Sequence, residues 1–419
     1  MNSLLLRHVT LKNELVDIWI SGNVFSKIVP AGSSKNLILP ENTRVVEGAG
    51  LAIIPPFYNA HTHAAMTLLR GYADDMPLFR WLSEYIWPFE KKLSAADVYA
   101  GSRLAILEMI RSGTVFFSDM YWFREETIRA ASEMGIRATI GVTFAENLPH
   151  APFEEYFAFL KNRTMESSRV HLAVMPHSIY TVGDELFKRC AEFAREEGFV
   201  LHTHLSETQE EVETCLKRTG KKTPVEHLYH LGVLGENFVA AHAVHVTEKE
   251  MELLAKTGST VVHNPESNLK LSSGLFDMGK MLGHGVRVAL GTDGASSNNN
   301  LDMHEAMKFA ALLAKRENPE ILPAASALEI ASKNGALAYG INAGEIKEGT
   351  LADALLVDLN NERLIPNYHL ESNWVYSADS RSIVSVLCDG KFVMENRKIP
   401  HEEEIIESAK ETAARLGKS

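Results

Sequence analysis

From about residue 55 to residue 349 the chain alternates strand-length apolar runs with helix-length amphipathic segments, and no other pattern in it restricts the fold as much. Eight runs stand out in order: AIIPPFYNAH, TVFFSDM, RATIGVTF, VHLAVMPH, FVLHTHLSE, FVAAHAVH, STVVHNP and VRVALGTDG. Between neighbours lie stretches such as AADVYAGSRLAILEMIRSG and DELFKRCAEFAREEG, whose apolar residues recur at helical spacing. Nearly continuous apolar runs suit strands covered on both faces, as in a parallel sheet with crossover helices. Eight such units predict a (β/α)8 barrel. An open doubly wound sheet would bring a glycine-rich phosphate loop after its first strand. Neither GxGxxG nor a GxxxxGK loop followed by Ser or Thr occurs.

Residues 1–54 carry short alternating or β-branched runs (LLLRHVTL, LVDIWI, KIVP, TRVVE) separated by Gly, Asn, Ser and Pro, the pattern of a small antiparallel sheet. The texture returns after Gly349 in ADALLVDL, SIVSVLCDG and KFVMENRKI, before a helix-like tail, EEEIIESAKETAARLGK. The fold class expected is α/β: a TIM-type barrel over 55–349, with a small β-sandwich domain built by both chain ends, 1–54 plus 350–419.

Forty-two basic against 54 acidic residues leave a net charge of -12, which argues against nucleic acid, whose binding needs a basic surface. Cys190, Cys215 and Cys388 lie far apart and form no CxxC pair. Neither a disulfide framework nor a thiolate zinc site is expected, and a reducing cytoplasm fits. The opening MNSLLLRHVTL offers three leucines before Arg7 and His8, too few for the core of an export signal. No run of 18 apolar residues is available to cross a bilayer. The expectation is a cytoplasmic protein with no nucleic-acid or membrane partner.

Most of the eight runs finish in chemically capable residues: His61 and His63, Asp119, His177, His204 and Glu207, His242, His263, and Asp293. Barrel strands all run one way, so these ends share one mouth. His61 and His63 are two apart, which places both rings on one face of a strand, close enough to share an ion. A chain with 17 histidines also yields such pairs by chance, and His202 with His204 is a second one. Agreement of residue type with position carries more weight. His61, His63, His204 and Asp293 supply three imidazoles and one carboxylate, a set suited to one divalent ion with a place left for water. Zn2+ suits it best, and Fe2+, Mn2+ or Ni2+ also fit. Glu207, three residues past His204, would stand at the lip, where a carboxylate can take a proton from water acidified by the ion. With that set filled, His202, His245 and His263 read as structural, and His304 as an ordinary helix residue.

PPFYNAHTHAAMTLLRG, HTHLSET, AAHAVH, HNPESNLKLSSG and LGTDGASSNN resemble the successive signatures of the amidohydrolase superfamily, over essentially the whole chain. The most similar branch is that of the S-adenosylhomocysteine, 5'-methylthioadenosine and adenosine-type deaminases, with guanine deaminases and s-triazine hydrolases further off. The resemblance implies hydrolytic deamination of an aminopurine nucleoside or a related small heterocyclic amine. Carried onto this chain, it implies His61, His63, His204 and Asp293 as metal ligands and Glu207 as a proton shuttle that also reaches the substrate. His242 would orient the attacking water, and Asp293 would accept a proton from it. Binuclear relatives end the fourth strand in a carboxylated lysine, whereas VHLAVMPHSIY has His177 and no lysine, so a single metal is expected. His177 resembles a substrate-contacting position. Trp81 and Glu90 resemble a segment that reads the purine ring and ribose, although an amphipathic helix with a buried tryptophan and a solvated acid would look the same. The likeness also suggests a homodimer or homotetramer.

Adenosylhomocysteine-type members place arginines near the end of the third strand and in the loop after it. Here Val142 falls at the first of these positions, and the loop offers His150 but no arginine. A free carboxylate on the substrate would lack its bidentate partner, so a smaller or uncharged tail, or a different ring, is expected. Glu266 stands where relatives often carry a small residue and either reshapes the pocket or caps a turn. Asn268 and Lys270 either line the mouth or serve as a turn former and a solvated charge. Two other functions compete. One is a guanine-, pterin- or triazine-type aminohydrolase or chlorohydrolase with the same metal, and the other is a non-catalytic scaffold, which the complete ligand set disfavours.

Overall fold

The computed structural model describes residues 3–146 and 151–417, so the loop position His150 lies outside the described residues. The chain begins with β1 (Ser3–Leu11), β2 (Glu14–Ser21), β3 (Val24–Pro30), β4 (Arg44–Glu47) and β5 (Leu51–Ile54). The barrel strands follow: β6 (Phe57–Thr62), β7 (Thr114–Asp119), β8 (Arg137–Phe144), β9 (Val170–Pro176), β10 (Leu201–Leu205), β11 (Phe238–His242), β12 (Thr260–His263) and β13 (Arg287–Leu290). Last come β14 (Ala354–Asp358), β15 (Ile383–Cys388) and β16 (Lys391–Met394).

Strands β6 to β13 pair in sequence order, every pair parallel. The seam between β13 and β6 is drawn together by side-chain and backbone hydrogen bonds. Thr292 N–H donates to Asn59 Oδ1 (3.1 Å), Asn59 Nδ2 donates to Thr292 Oγ1 (2.7 Å), and Asp293 N–H donates to the His61 carbonyl (3.1 Å). Every residue of β6, β7 and β8 is buried, as strands covered on both faces require. Helices between them obey local signals. In the helix Glu248–Thr257, the Thr247 N–H is accepted by the Glu250 carboxylate (2.8 Å), and the turn beyond the last residue is Gly258 at φ 72°.

The first apolar run of the sequence divides between the two sheets. Leu51–Ile54 pairs with β14 in the terminal sheet, while Phe57–Thr62 pairs with β7 in the barrel. Pro55 and Pro56 stand between them and have no N–H to give to a ladder. The chain ends together form one eight-stranded sheet that is mixed, not purely antiparallel. One edge of β1 pairs with β2, and its other edge runs parallel to β4 over Leu4–Arg7 and to β5 at Thr10. The final helix, Glu402–Leu416, lies against the barrel helix Ala95–Arg111, joined by an Arg103–Glu404 ion pair (2.8 Å). Among the described residues no helix is long and apolar enough to cross a membrane.

Candidate active site

His61 is the second-last residue of β6 and His63 follows the strand; His204 lies on β10, His242 ends β11, and Asp293 sits three residues past β13. Asp293 Oδ1 lies 3.2 Å from His63 Nε2 and 3.5 Å from His61 Nε2, and His204 Nε2 lies 3.4 Å from His63 Nε2. Two triads, His61 with His63 and Asp293 and His61 with His204 and His242, bring ligand atoms within 4.8 Å of one another. They share His61, so they describe one centre.

The ring nitrogens that face away are anchored. His63 Nδ1 donates to the Met120 carbonyl (2.5 Å) and His204 Nδ1 to the His177 carbonyl (2.8 Å). A carbonyl only accepts, so Nδ1 carries the proton in each ring and Nε2 presents a lone pair to the centre. The His61 ring is fully buried, and neither of its nitrogens has a hydrogen-bond partner. A buried, unpaired imidazole is costly unless something accepts its lone pair. The donor set therefore fits a divalent ion held by His61, His63, His204 and Asp293. Burial lowers the His61 pKa to about 4, which keeps the ring neutral. Burial also disfavours charge on Asp293, but the His61 and His63 rings beside it outweigh that effect and hold the carboxyl well below its ordinary range.

The backbone around these ligands is shaped by close contacts. A Cβ on Gly291 would stand 2.8 Å from the His61 carbonyl oxygen, so only glycine lets β13 approach β6 closely enough to aim Asp293. Ser206, His242, Ala243 and Asp293 all adopt positive φ, at 51°, 72°, 45° and 61°. Such conformations cost energy for non-glycine residues and concentrate at functional sites. Ser267 Oγ (2.6 Å) and Ser297 Oγ (3.1 Å) donate to Asp293 Oδ2, which leaves Oδ1 for the centre.

Glu207 stands beside the centre, with Oε1 accepting from Ser273 Oγ (2.9 Å) and Oε2 lying 3.7 Å from His242 Nε2. Burial raises its pKa above the ordinary carboxylate value. Its loop is clamped by Glu211, whose carboxylate accepts from the N–H groups of Ser206 and Glu207, both at 2.8 Å. His242 Nδ1 is fixed by Asn268 Oδ1 at 2.7 Å. The sequence left Asn268 as either a mouth residue or a turn former and gave no role to Glu211, Ser267 or Ser273. Pro265, a common first residue of a helix, was the available signal that the HNPESN segment turns helical and swings Asn268 back under the mouth.

A pocket opens from this centre. His63, His177, His204, Glu207, His242 and Asp293 form its floor, and the helical excursion 78–90 contributes Trp81 and Glu90. Trp81 Nε1 donates to the Ala73 carbonyl (3.1 Å), so the indole offers the pocket only its ring. Glu90 accepts from Trp122 Nε1 (3.1 Å), and burial raises its pKa. His177 Nδ1 lies 3.0 Å from Thr181 Oγ1. Val142 does not reach the pocket: it is fully buried in the apolar core, and the adjacent Thr143 lines the cavity because side chains alternate along β8. Lys270 is tied to Asp74 and Asn299 and lies outside the lining. The remaining candidates have contacts of their own away from the pocket lining. Asp119 accepts from the Ala64 N–H (2.7 Å), and His202 Nδ1 lies 2.8 Å from Tyr339 Oη. His245 Nε2 donates to the Ser273 carbonyl, His263 stacks on Phe276, and His304 Nε2 donates to the Trp374 carbonyl (2.7 Å).

The amidohydrolase family profile matches residues 52–393, which is most of the chain and contains every residue of this centre. The chain belongs to the amidohydrolase family. Its relatives include the 5'-deoxyadenosine deaminase of Methanosphaera stadtmanae, 40% identical over 99% of each chain. The 5-methylthioadenosine/S-adenosylhomocysteine deaminase 1 of Archaeoglobus fulgidus is 46% identical over 89% of this amidohydrolase and 90% of the relative. Among solved structures, a zinc-bound adenosine deaminase of Xanthomonas campestris superposes with a TM-score of 0.93 at 32% identity, covering 100% of this amidohydrolase and 98% of that chain.

Proposed function

We propose that this amidohydrolase is a metal-dependent hydrolytic deaminase of an aminopurine nucleoside or a related amino-heterocycle. The observation that carries the reading is the convergence of His61, His63, His204 and Asp293 Oδ1 on one point, with Glu207 and His242 beside it and a pocket above. The names of relatives 40% and 46% identical support the same reaction class. The four ligands would hold one divalent ion; Zn2+ is assigned on the donor set and on the zinc-bound neighbour, with Fe2+, Mn2+ and Ni2+ as alternatives. The end of β9 at Pro176 and His177, with no lysine, favours a single ion.

When bound, such an ion supplies the Lewis acidity that makes a water easy to deprotonate near neutral pH. Glu207 takes that proton, and its raised pKa lets the carboxyl hold it and return it to a ring nitrogen of the substrate. His242, its Nδ1–H given to Asn268, turns Nε2 toward the water and the oxygen that adds to the ring carbon. Asp293 Oδ1 accepts the second proton on its way to the departing amine. His177 and Glu90 contact the substrate, and the Trp81 ring packs against it. The catalytic barrel would span 55–349 and the small domain 1–54 plus 350–419, in a cytoplasmic homodimer or homotetramer.

The test is ammonia release by metal-reconstituted protein from adenosine, 5'-deoxyadenosine, 5'-methylthioadenosine, S-adenosylhomocysteine, guanine and aminotriazines. Turnover of an adenosine-type compound that disappears in Glu207→Gln is the expected result. Ammonia from guanine or an aminotriazine alone would move the site to the competing aminohydrolase reading, and silence across the panel would refute deamination.

A further inference from the structure

Three of the four side chains assigned to the ion are held from behind. His63 Nδ1 and His204 Nδ1 donate to the carbonyls of Met120 and His177, and Asp293 Oδ2 accepts from Ser267 and Ser297. His61 is the exception. Its Nε2 faces Asp293 Oδ1, and Nδ1, on the other side of the ring, has no hydrogen-bond partner among the described residues. A neutral imidazole that gives the Nε2 lone pair to an ion carries its proton on Nδ1, and a buried N–H without an acceptor is costly. A second orphan lies against it. His202 stands two residues before His204 on β10, so its side chain enters the barrel on the same face. Strands β6 and β10 are four apart in the eight-stranded sheet and face each other across the interior. The His61 and His202 rings are both fully buried, 4.9 Å apart between centroids and tilted by 40°. Tyr339 Oη donates its single proton to the Ala60 carbonyl (2.7 Å), which can only accept, so the phenol oxygen receives the proton of His202 Nδ1 at 2.8 Å. Burial keeps the His202 ring neutral, which leaves a lone pair on Nε2, and that atom has no partner either.

We infer that His202 is a positioning residue for the metal centre, its Nε2 being the acceptor for the Nδ1–H of His61 in the loaded protein. The inference rests on the metal site of the proposed deaminase and assigns that site a support that no other ligand shares. In the structure the two rings lie against each other without closing the bond. The second side-chain torsion of histidine is broad, so a small turn of the rings closes it. One donor and one acceptor, each buried and unpaired, then satisfy each other. The result is a chain that leaves β6 at the Ala60 carbonyl, passes through Tyr339 and His202, and returns to β6 at His61. It fixes the tautomer and the angle of the His61 ring, as the carbonyls of Met120 and His177 fix those of His63 and His204. Tyr339 itself is braced by the Phe116 ring, 5.0 Å away between centroids.

The test is the zinc Kd of the chelator-stripped protein, measured by competition with a chromophoric chelator, for the parent and three variants. His202→Leu fills the space without an acceptor. His202→Gln puts an amide oxygen near the place of Nε2, and Tyr339→Phe leaves the His202 proton free to move onto Nε2. His202→Leu is expected to weaken zinc binding by about 10- to 100-fold, Tyr339→Phe to weaken it in the same direction, and His202→Gln to recover most of the loss. Should His202→Leu not fold, the parent, His202→Gln and Tyr339→Phe still decide: Gln close to the parent and Phe weaker supports the inference. Leu and Phe variants within about threefold of the parent, or a Gln variant as weak as Leu, would overturn it, the latter because a residue that only fills space is not rescued by an acceptor. No substrate enters the measurement, so a failure to release ammonia would sink the deaminase reading and leave this one standing. A parent that takes up no zinc would remove the metal site and this inference with it.

Discussion

The Nδ1–H of His242 donates to Oδ1 of Asn268 over 2.7 Å, so the imidazole presents Nε2 and not Nδ1 toward Glu207. Removing that acceptor frees the ring to rotate and to change tautomer, while His63, His204 and Asp293 of the proposed ligand set keep their own anchors. Asn268→Ala is therefore expected to lower kcat by about 10- to 100-fold. Metal content measured by mass spectrometry should match the parent protein, and a loss of metal parallel to the loss of rate would contradict the positioning role.

Glu207 is the group to which the proton transfers are assigned. Glu207→Gln keeps the shape and the hydrogen bond to Ser273 and removes the base, so kcat should fall by a factor of about 100 to 10,000 with metal binding retained. A variant as active as the parent would show that another group carries the proton.

The barrel is fastened to the terminal sheet by a buried charge network. Arg137, at the start of β8, donates to Asp353 (2.8 Å) and to Asp389 (2.6 Å), and Tyr58 on β6 donates to the same Asp353 carboxylate (2.5 Å). Arg137 is 3% exposed and Asp353 1%. Arg137→Met leaves Asp353 buried without its cation and should cost about 3–5 kcal/mol, read as a lower denaturant midpoint. The double variant Arg137→Met/Asp353→Leu should recover part of that loss, because it also removes the stranded charge. A double variant less stable than the single one would show that the network holds the two sheets by charge pairing itself.

Both carboxyl oxygens of Glu266 are buried with no hydrogen-bond partner, and burial pushes its pKa up to about 8 from an ordinary 4.5. The folded protein thus keeps a proton that the unfolded chain gives up once the pH passes 4.5. Stability falls as the pH rises from 4.5 toward 8 and levels off above that range. Glu266→Gln removes the titration, so its Tm should exceed the parent's by a wide margin at about pH 8.5 and by little at about pH 4.5. A Tm difference that does not change with pH would place Glu266 in contact with water or a partner group.

The barrel was legible because a parallel sheet writes itself as eight apolar runs, and the meeting of His61, His63, His204 and Asp293 at one mouth because those runs end in histidines and acids. Less legible was everything that depends on where a side chain turns. The run AIIPPFYNAH reads as one strand, yet two prolines divide it between separate sheets. Val142 and Thr143 are neighbours, and a one-residue difference in register on a strand exchanges core for pocket. Asn268 resembles a turn former, and its hydrogen bond to His242 exists because the helix Pro265–Lys270 folds under the mouth. Glu211 looks like a solvated helix acid, and only the clamped loop at Ser206 and Glu207 reveals that it is buried beneath the site.

Metal dependence tests the account most directly. Protein stripped with a chelator would be titrated with Zn2+, following ammonia release from 5'-deoxyadenosine at each addition. The account predicts negligible activity at the start, a linear rise that breaks at one equivalent per chain, and no rise for Asp293→Ala. Full activity in the stripped protein, or a break at two equivalents, would contradict it.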